Sequence, residues 1–123
     1  MLQIVQAGIF QQFPSLKIIV HHAGAMIPFF AGRIKYILPA EQVADFHKFY
    51  VDTAILGNAP ALKLAVDYFG DDHVLFGTDA PLGIKPAGAS KVIIAAIENA
   101  GLTKAQQEQV LYRNYQRLFT SSN

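Results

Sequence analysis

The 123 residues include no cysteine and no tryptophan. Without cysteine there is no disulfide framework and no thiolate metal site, and the chain suits a reducing cytoplasm, where we expect it. Charge of either sign is scarce: 15% of residues are Asp, Glu, Lys or Arg, and the formal net charge is +1. So weak a field excludes nucleic acid or an anionic membrane as a partner held by electrostatics. The apolar stretch 18–32 carries no Asp, Glu, Lys or Arg but is interrupted by His21, His22, Gly24, Pro28 and Gly32. A membrane span needs roughly 20 mostly apolar residues, so this stretch is protein interior. The N-terminus lacks the cationic start and apolar run of a signal peptide. Low-complexity segments and internal repeats are absent too.

Apolar residues, by contrast, make up 52% of the chain, which excludes intrinsic disorder. The length allows one domain, residues 1–123. A domain of this size leaves much of its surface in water, so the apolar excess reads as surface meant to be covered. Self-association through sheet edges or apolar faces, giving a homo-oligomer, is the expected consequence.

Periodicity supplies the order of elements. Leu2, Ile4, Val5, Ile9 and Phe10 recur at helical spacing up to Phe13-Pro14-Ser15, and residues 16–20 form a short, β-branched, buried strand. A helix is expected from Met26 to Leu38, with Pro28 in its first turn and Pro39 as its stop. A second strand covers 49–53, then a Gly57-Asn58 turn and a helix from Pro60 to Phe69 closed by Gly70. A third strand covers 73–77. A loop with Gly83, Pro86 and Gly88 leads to a helix from Ser90 to about Ala100, and Thr103 with Gln106 forms a capping box opening the last helices. Thr120 to Asn123 is expected to fray. Strands alternating with helices specify a parallel α/β sheet. Three strands are too few for an open sheet covered on both faces or for a closed barrel, so the chain reads as a slice of a larger α/β structure.

Functional groups in such architectures gather at the carboxyl ends of strands. There stand His21 and His22 after the first strand, Asp52 and Thr53 near the end of the second, and Asp79 after the third. Imidazole and carboxylate are ligand types for zinc or a similar divalent ion, at roughly 2.0–2.2 Å, and are suited to general acid–base work. Taken singly, each has a plainer reading. A histidine is more often a hydrogen-bonded core residue than a ligand, and an aspartate before Ala-Pro is more often a turn residue. Asp52 could simply bond backbone groups at a strand end. His47 reads as a solvated loop residue, His73 lies at the wrong end of its strand for chemistry, and Arg33 reads as a surface or salt-bridged side chain. Met26, Phe29 and Phe30 read as packing. Neither a dinucleotide fingerprint nor a phosphate loop is present.

In combination, the segments 19–34 (Ile-Val-His-His-Ala-Gly-Ala-Met-Ile-Pro-Phe-Phe-Ala-Gly-Arg-Ile), 49–54, 74–81 (with Gly77-Thr78-Asp79-Ala80-Pro81) and 113–119 (Arg-Asn-Tyr-Gln-Arg-Leu-Phe) resemble motifs of the amidohydrolase superfamily. The branch they resemble is amidohydrolase-2, related to aminocarboxymuconate semialdehyde decarboxylase. The resemblance covers nearly the whole chain. It implies the C-terminal portion of a (β/α)8 barrel, an incomplete barrel of about three parallel strands, belonging to a metal-dependent hydrolase or nonoxidative decarboxylase. The implied substrate is a small carboxylated or aromatic molecule. His22, six residues before Pro28, matches the family's proton-transfer histidine, and Asp79 matches the aspartate that binds the metal and serves as acid or base. Arg33 matches an arginine that in some relatives reaches a substrate carboxylate. The implied cofactor is a divalent metal, expected to be zinc. His21 has no counterpart role, and Ala23 and Ala25 replace glycines common in relatives. The family's first-strand His-x-His and a further metal histidine have no match here, so the isolated chain is expected to be inactive. The alternative is a noncatalytic, oligomerising α/β module.

Overall fold

A computed structural model describes residues 1–85 and 88–120. Pro86 of the expected loop and residues 121–123 of the expected frayed tail lie outside the described residues.

Three short strands, β1 (Ile19–Val20), β2 (Tyr50–Asp52) and β3 (Val74–Leu75), form one parallel sheet in the order β1-β2-β3. Ile19 pairs with Tyr50, and Val51 pairs with both Val20 and Val74. The paired segments are shorter than the apolar runs, but pairing continues beyond them. The Val51 amide donates to the His73 carbonyl at 2.9 Å, and Thr53 Oγ1 both donates to the Gly77 carbonyl (2.9 Å) and accepts its amide (3.1 Å).

The N-terminal helix is split into α1 (Leu2–Gln6) and α2 (Ile9–Gln12) because Gly8 turns left-handed at φ 64°. The helix expected from Met26 begins only at Ala31: α3 spans Ala31–Ile37. Residues 25–30 form turns instead, so Pro28 precedes the helix and is not in its first turn. Ala25, at φ 54° and ψ −122°, reverses the chain at the strand end, and the following residues close turns, with the Ala31 amide bonded to the Pro28 carbonyl at 3.3 Å, before α3 starts. After Pro39, α4 (Ala40–Phe46) buries Asp45 and Phe46; periodicity did not single it out. The helix α5 (Ala59–Phe69) starts under an Asn58 cap, whose side chain accepts the Ala61 amide. Next come α6 (Ser90–Asn99) and α7 (Lys104–Glu108), the latter opened by the expected Thr103–Gln106 capping box. A π-helical turn (Gln109–Arg113) joins α7 to α8 (Asn114–Phe119). Its wider winding aligns residues five apart, and two such pairs bond: Gln109 to Asn114 at 3.0 Å and Arg113 to Glu108 at 2.6 Å.

The core lies between the sheet and the helices. Phe46, Phe49, Val51, Val74, Ile93 and Ile97 are fully buried, and Phe10 meets Phe49 edge to face at 4.9 Å. Asn114 is fully buried as well. Its amide donates to the carbonyls of Asp71 and Val74, both at 2.7 Å, and pins the last helix to the start of β3. Several large apolar side chains stay exposed, notably Tyr36 (84%), Phe29 (75%) and Met26 (65%). Among the described residues no helix is long and apolar enough to cross a membrane.

Candidate active site

Because the strands are parallel, the segments that follow them leave the sheet at one end. Here the backbone is strained. His22 (φ 58°), Ala23 (55°) and Ala25 (54°) follow β1, Leu56 (53°) follows β2 and Asp79 (58°) follows β3. Among the described residues these are the non-glycine residues with positive φ. Each such residue costs about 1–2 kcal/mol, and strain of this kind collects at functional sites because the surrounding fold must hold it. The frame is tight: a Cβ at Gly24 (φ +75°) would lie 2.7 Å from the Phe69 ring, and one at Gly77 would lie 2.9 Å from Asp52 Cβ.

Asp52 is the hub. Its Oδ1 accepts the backbone amides of His22 (2.7 Å) and Ala54 (3.0 Å), and its Oδ2 accepts His21 Nδ1 (3.1 Å). The plain reading of Asp52 as a carboxylate bonding backbone at a strand end is therefore borne out, with His21 in addition. His22 Nδ1 lies 2.8 Å from the Ala54 carbonyl. A carbonyl only accepts, so Nδ1 carries the ring proton and the neutral ring's lone pair is on Nε2. That nitrogen has no partner among the described residues, and His22 is exposed on a cleft of about 200 Å³ shared with Ala25, Phe29, Ile55 and Asn58. Small-molecule sites usually begin near 300 Å³, so this cleft has the size of one wall of a site.

Asp79 is exposed, and its carboxylate has no partner among the described residues. It leaves the same end of the sheet as His22. Arg33 is also exposed and unpaired, but it borders a different groove of about 210 Å³ with Leu2, Ile34, Ile37, Leu38 and Phe46. Among the described residues no three or more His, Cys, Asp or Glu side chains are grouped to hold a metal ion. Asp79 alone does not make a metal centre, so the described residues by themselves do not fit the cofactor that the resemblance implies.

The other histidines are structural. His47 is exposed as expected, yet its Nδ1 donates to the Tyr68 carbonyl at 2.8 Å and its ring lies 4.7 Å from that tyrosine's. His73 stacks on Tyr50 at 4.4 Å and bonds Asp72 at 2.9 Å. Burial raises the Tyr68 phenol above its ordinary pKa. At Asp45 burial pushes the carboxyl up, but hydrogen bonds from Lys48 and Gln11 and the Lys48 charge outweigh it and hold the group below the ordinary carboxylate value. Burial likewise opposes ionisation at Asp72, where His73 and Arg117 prevail and lower its pKa. Periodicity and spacing did not reveal the hub role of Asp52 or the buried role of Asn114. The signals that were available are a carboxylate closing a buried strand and an amide inside an apolar helix face.

Comparison with known proteins agrees with this geometry. The 6-methylsalicylic acid decarboxylase of Penicillium expansum is 36% identical over 90 residues, which is 65% of this chain and 28% of that protein. The 2-amino-3-carboxymuconate-6-semialdehyde decarboxylase of Dictyostelium discoideum is 30% identical over 82% of this chain and 31% of its own length. The crystal structure of a dihydroxybenzoic acid decarboxylase from Polaromonas sp. JS666, with bound manganese and the inhibitor 2-nitroresorcinol, superposes with a TM-score of 0.81 at 27% identity. It covers 99% of this chain and 39% of the Polaromonas chain. The metal in that relative is manganese; nothing supports the expected zinc. This chain thus spans 28–39% of the lengths of these relatives, with three parallel strands of an incomplete (β/α)8 barrel. Amidohydrolase motifs match over residues 1–120, and the chain belongs to the amidohydrolase family.

Proposed function

We propose that this chain forms part of a nonoxidative decarboxylase acting on a small aromatic carboxylate, with His22 as the group that moves the proton. The observation that carries this reading is the fixed ring of His22, with Nδ1–H committed to the Ala54 carbonyl and Nε2 open to the cleft. In decarboxylation the bond from ring carbon to carboxylate breaks, carbon dioxide leaves, and a proton takes its place on carbon. A histidine with a free Nε2 takes up a proton there and delivers it, as general acid–base catalysis requires. Decarboxylation is favoured over hydrolysis because the relatives described above are named decarboxylases. Arg33, unpaired on its own apolar groove, is assigned to a substrate carboxylate or to an apposed subunit. Asp79 is assigned to the metal-binding set of the complete barrel, whose other ligands would stand on barrel strands that this chain does not span.

The isolated chain is therefore inactive in this reading and associates through apolar surface such as Met26, Phe29 and Tyr36. That no three-ligand group is found among the described residues favours a second role for the chain alone, that of a noncatalytic self-associating module. Carbon dioxide release from 6-methylsalicylate and dihydroxybenzoates tests the reading. The chain is assayed alone and mixed with a polypeptide carrying the remaining barrel strands, with manganese or zinc supplied. The mixture is expected to turn over and the chain alone is not. His22→Asn and Asp79→Ala should each abolish the activity of the mixture; full activity in either variant would show that the site is misassigned.

A further inference from the structure

We infer that Asp52 is a positioning residue that locks two neighbouring histidines, His21 and His22, with the ring proton on Nδ1, so that both present a bare Nε2 at the carboxyl end of the sheet. Three contacts of one carboxylate carry this inference. Oδ2 faces His21 Nδ1 at 3.1 Å, and since a carboxylate only accepts, Nδ1 is the protonated nitrogen. Oδ1 holds the His22 amide at 2.7 Å and so fixes where that residue leaves β1. The same Oδ1 holds the Ala54 amide at 3.0 Å, orienting the residue whose carbonyl receives His22 Nδ1–H. The carboxylate thus controls one ring directly and the other through both of its backbone anchors.

The carboxylate itself is firmly held. Asp52 is 9% exposed, and Gly77 packs against its Cβ so closely that no side chain fits there. The His21 side chain, by contrast, is 80% exposed, and its ring centroid lies 5.8 Å from that of His22. Neither Nε2 has a partner among the described residues. A surface histidine with no task has no need of a buried carboxylate to choose its tautomer; such a partner is the usual device for aiming an imidazole at a ligand or a proton. His21 thereby becomes a second acceptor beside His22, suited to a substrate hydroxyl or to handing on a proton. That assignment of purpose rests on the decarboxylase reading; the tautomers do not.

Long-range nitrogen–proton NMR of the full 15N-labelled chain, above the pH at which imidazoles titrate, tests the inference. The His21 signals are identified by their loss in His21→Gln. The expected result is a pyridine-like Nε2 and a pyrrole-like Nδ1 for both His21 and His22. In Asp52→Asn, His21 should revert to the mixture in which Nε2–H predominates, and His22 should shift. His47 and His73, whose Nδ1 atoms bond Tyr68 and Asp72 elsewhere, should stay unchanged. An Nε2–H tautomer for His21 in the unmodified chain overturns the inference, as does an unchanged His21 in folded Asp52→Asn. If that variant unfolds, all four histidines move together, and the unmodified chain alone decides the matter. The expected tautomers in a chain that never decarboxylates, even when complemented, would sink the function and leave the positioning role standing.

Discussion

At the carboxyl end of the sheet, His22, Ala23, Ala25, Leu56 and Asp79 all adopt left-handed backbone, and His21, His22 and Asp79 are exposed. At the amino end, around Asp71, Asp72 and His73, the non-glycine backbone is ordinary and the polar groups are paired: Asn114 with two carbonyls, Arg117 with the Asp72 carbonyl, His73 with the Asp72 carboxylate. The difference teaches how the chain divides its work. One end pairs Asn114, Arg117, Asp72 and His73 and fastens the last helix to the sheet. The other holds strained residues and open polar atoms, which is where a site can be built at the expense of stability.

The largest effect on this contrast is expected from Asn114→Ala, which strips the buried Val74 carbonyl and the partly buried Asp71 carbonyl of their donor. Each loss costs about 1–3 kcal/mol, so the urea midpoint should fall steeply while the His21 and His22 tautomers survive in the folded fraction. If stability barely changes, the amino end is not the fastening point. Ala25→Gly probes the opposite end and should act in the opposite direction. Removing the Cβ relieves the left-handed strain, partly offset by a looser unfolded chain, for a gain of about 0.5–1 kcal/mol in thermal unfolding. A loss would mean that Ala25 is not strained.

The smallest effect concerns acid. Asp45 and Asp72 both have lowered carboxyl pKa values in the folded chain, so each adds stability that is present above the ordinary carboxylate range. That contribution fades as pH falls through the lowered values, because protonation is then harder in the native state than in the unfolded one. Urea unfolding at neutral pH and near pH 3 should show the loss, and Asp45→Asn should flatten it. An unchanged slope in that variant would remove Asp45 from the account.

Much of this was legible beforehand, for identifiable reasons. Gly70, Thr103 and Gln106 marked helix ends because capping is local chemistry, and α5 and α6 appeared almost as periodicity drew them. The composition of 26–30 permits the expected helix, yet these residues form turns as the chain folds back from β1 past Ala25. Ala23 and Ala25, where the resemblance implies glycine, both sit at positive φ, which glycine adopts at less cost. Arg33 was grouped with His22 and Asp79 by family likeness, yet it borders its own groove on α3.

The sequence by itself determined the α/β alternation, the family and the residues gathered at the strand ends, because each of these is written in local spacing and side-chain type. Only the tertiary structure decided that one carboxylate joins His21 to His22 and that one buried amide ties the last helix to β3. Those links span 31 and 40 residues of chain. Contacts at such separations depend on which strands lie side by side, and no local pattern encodes that.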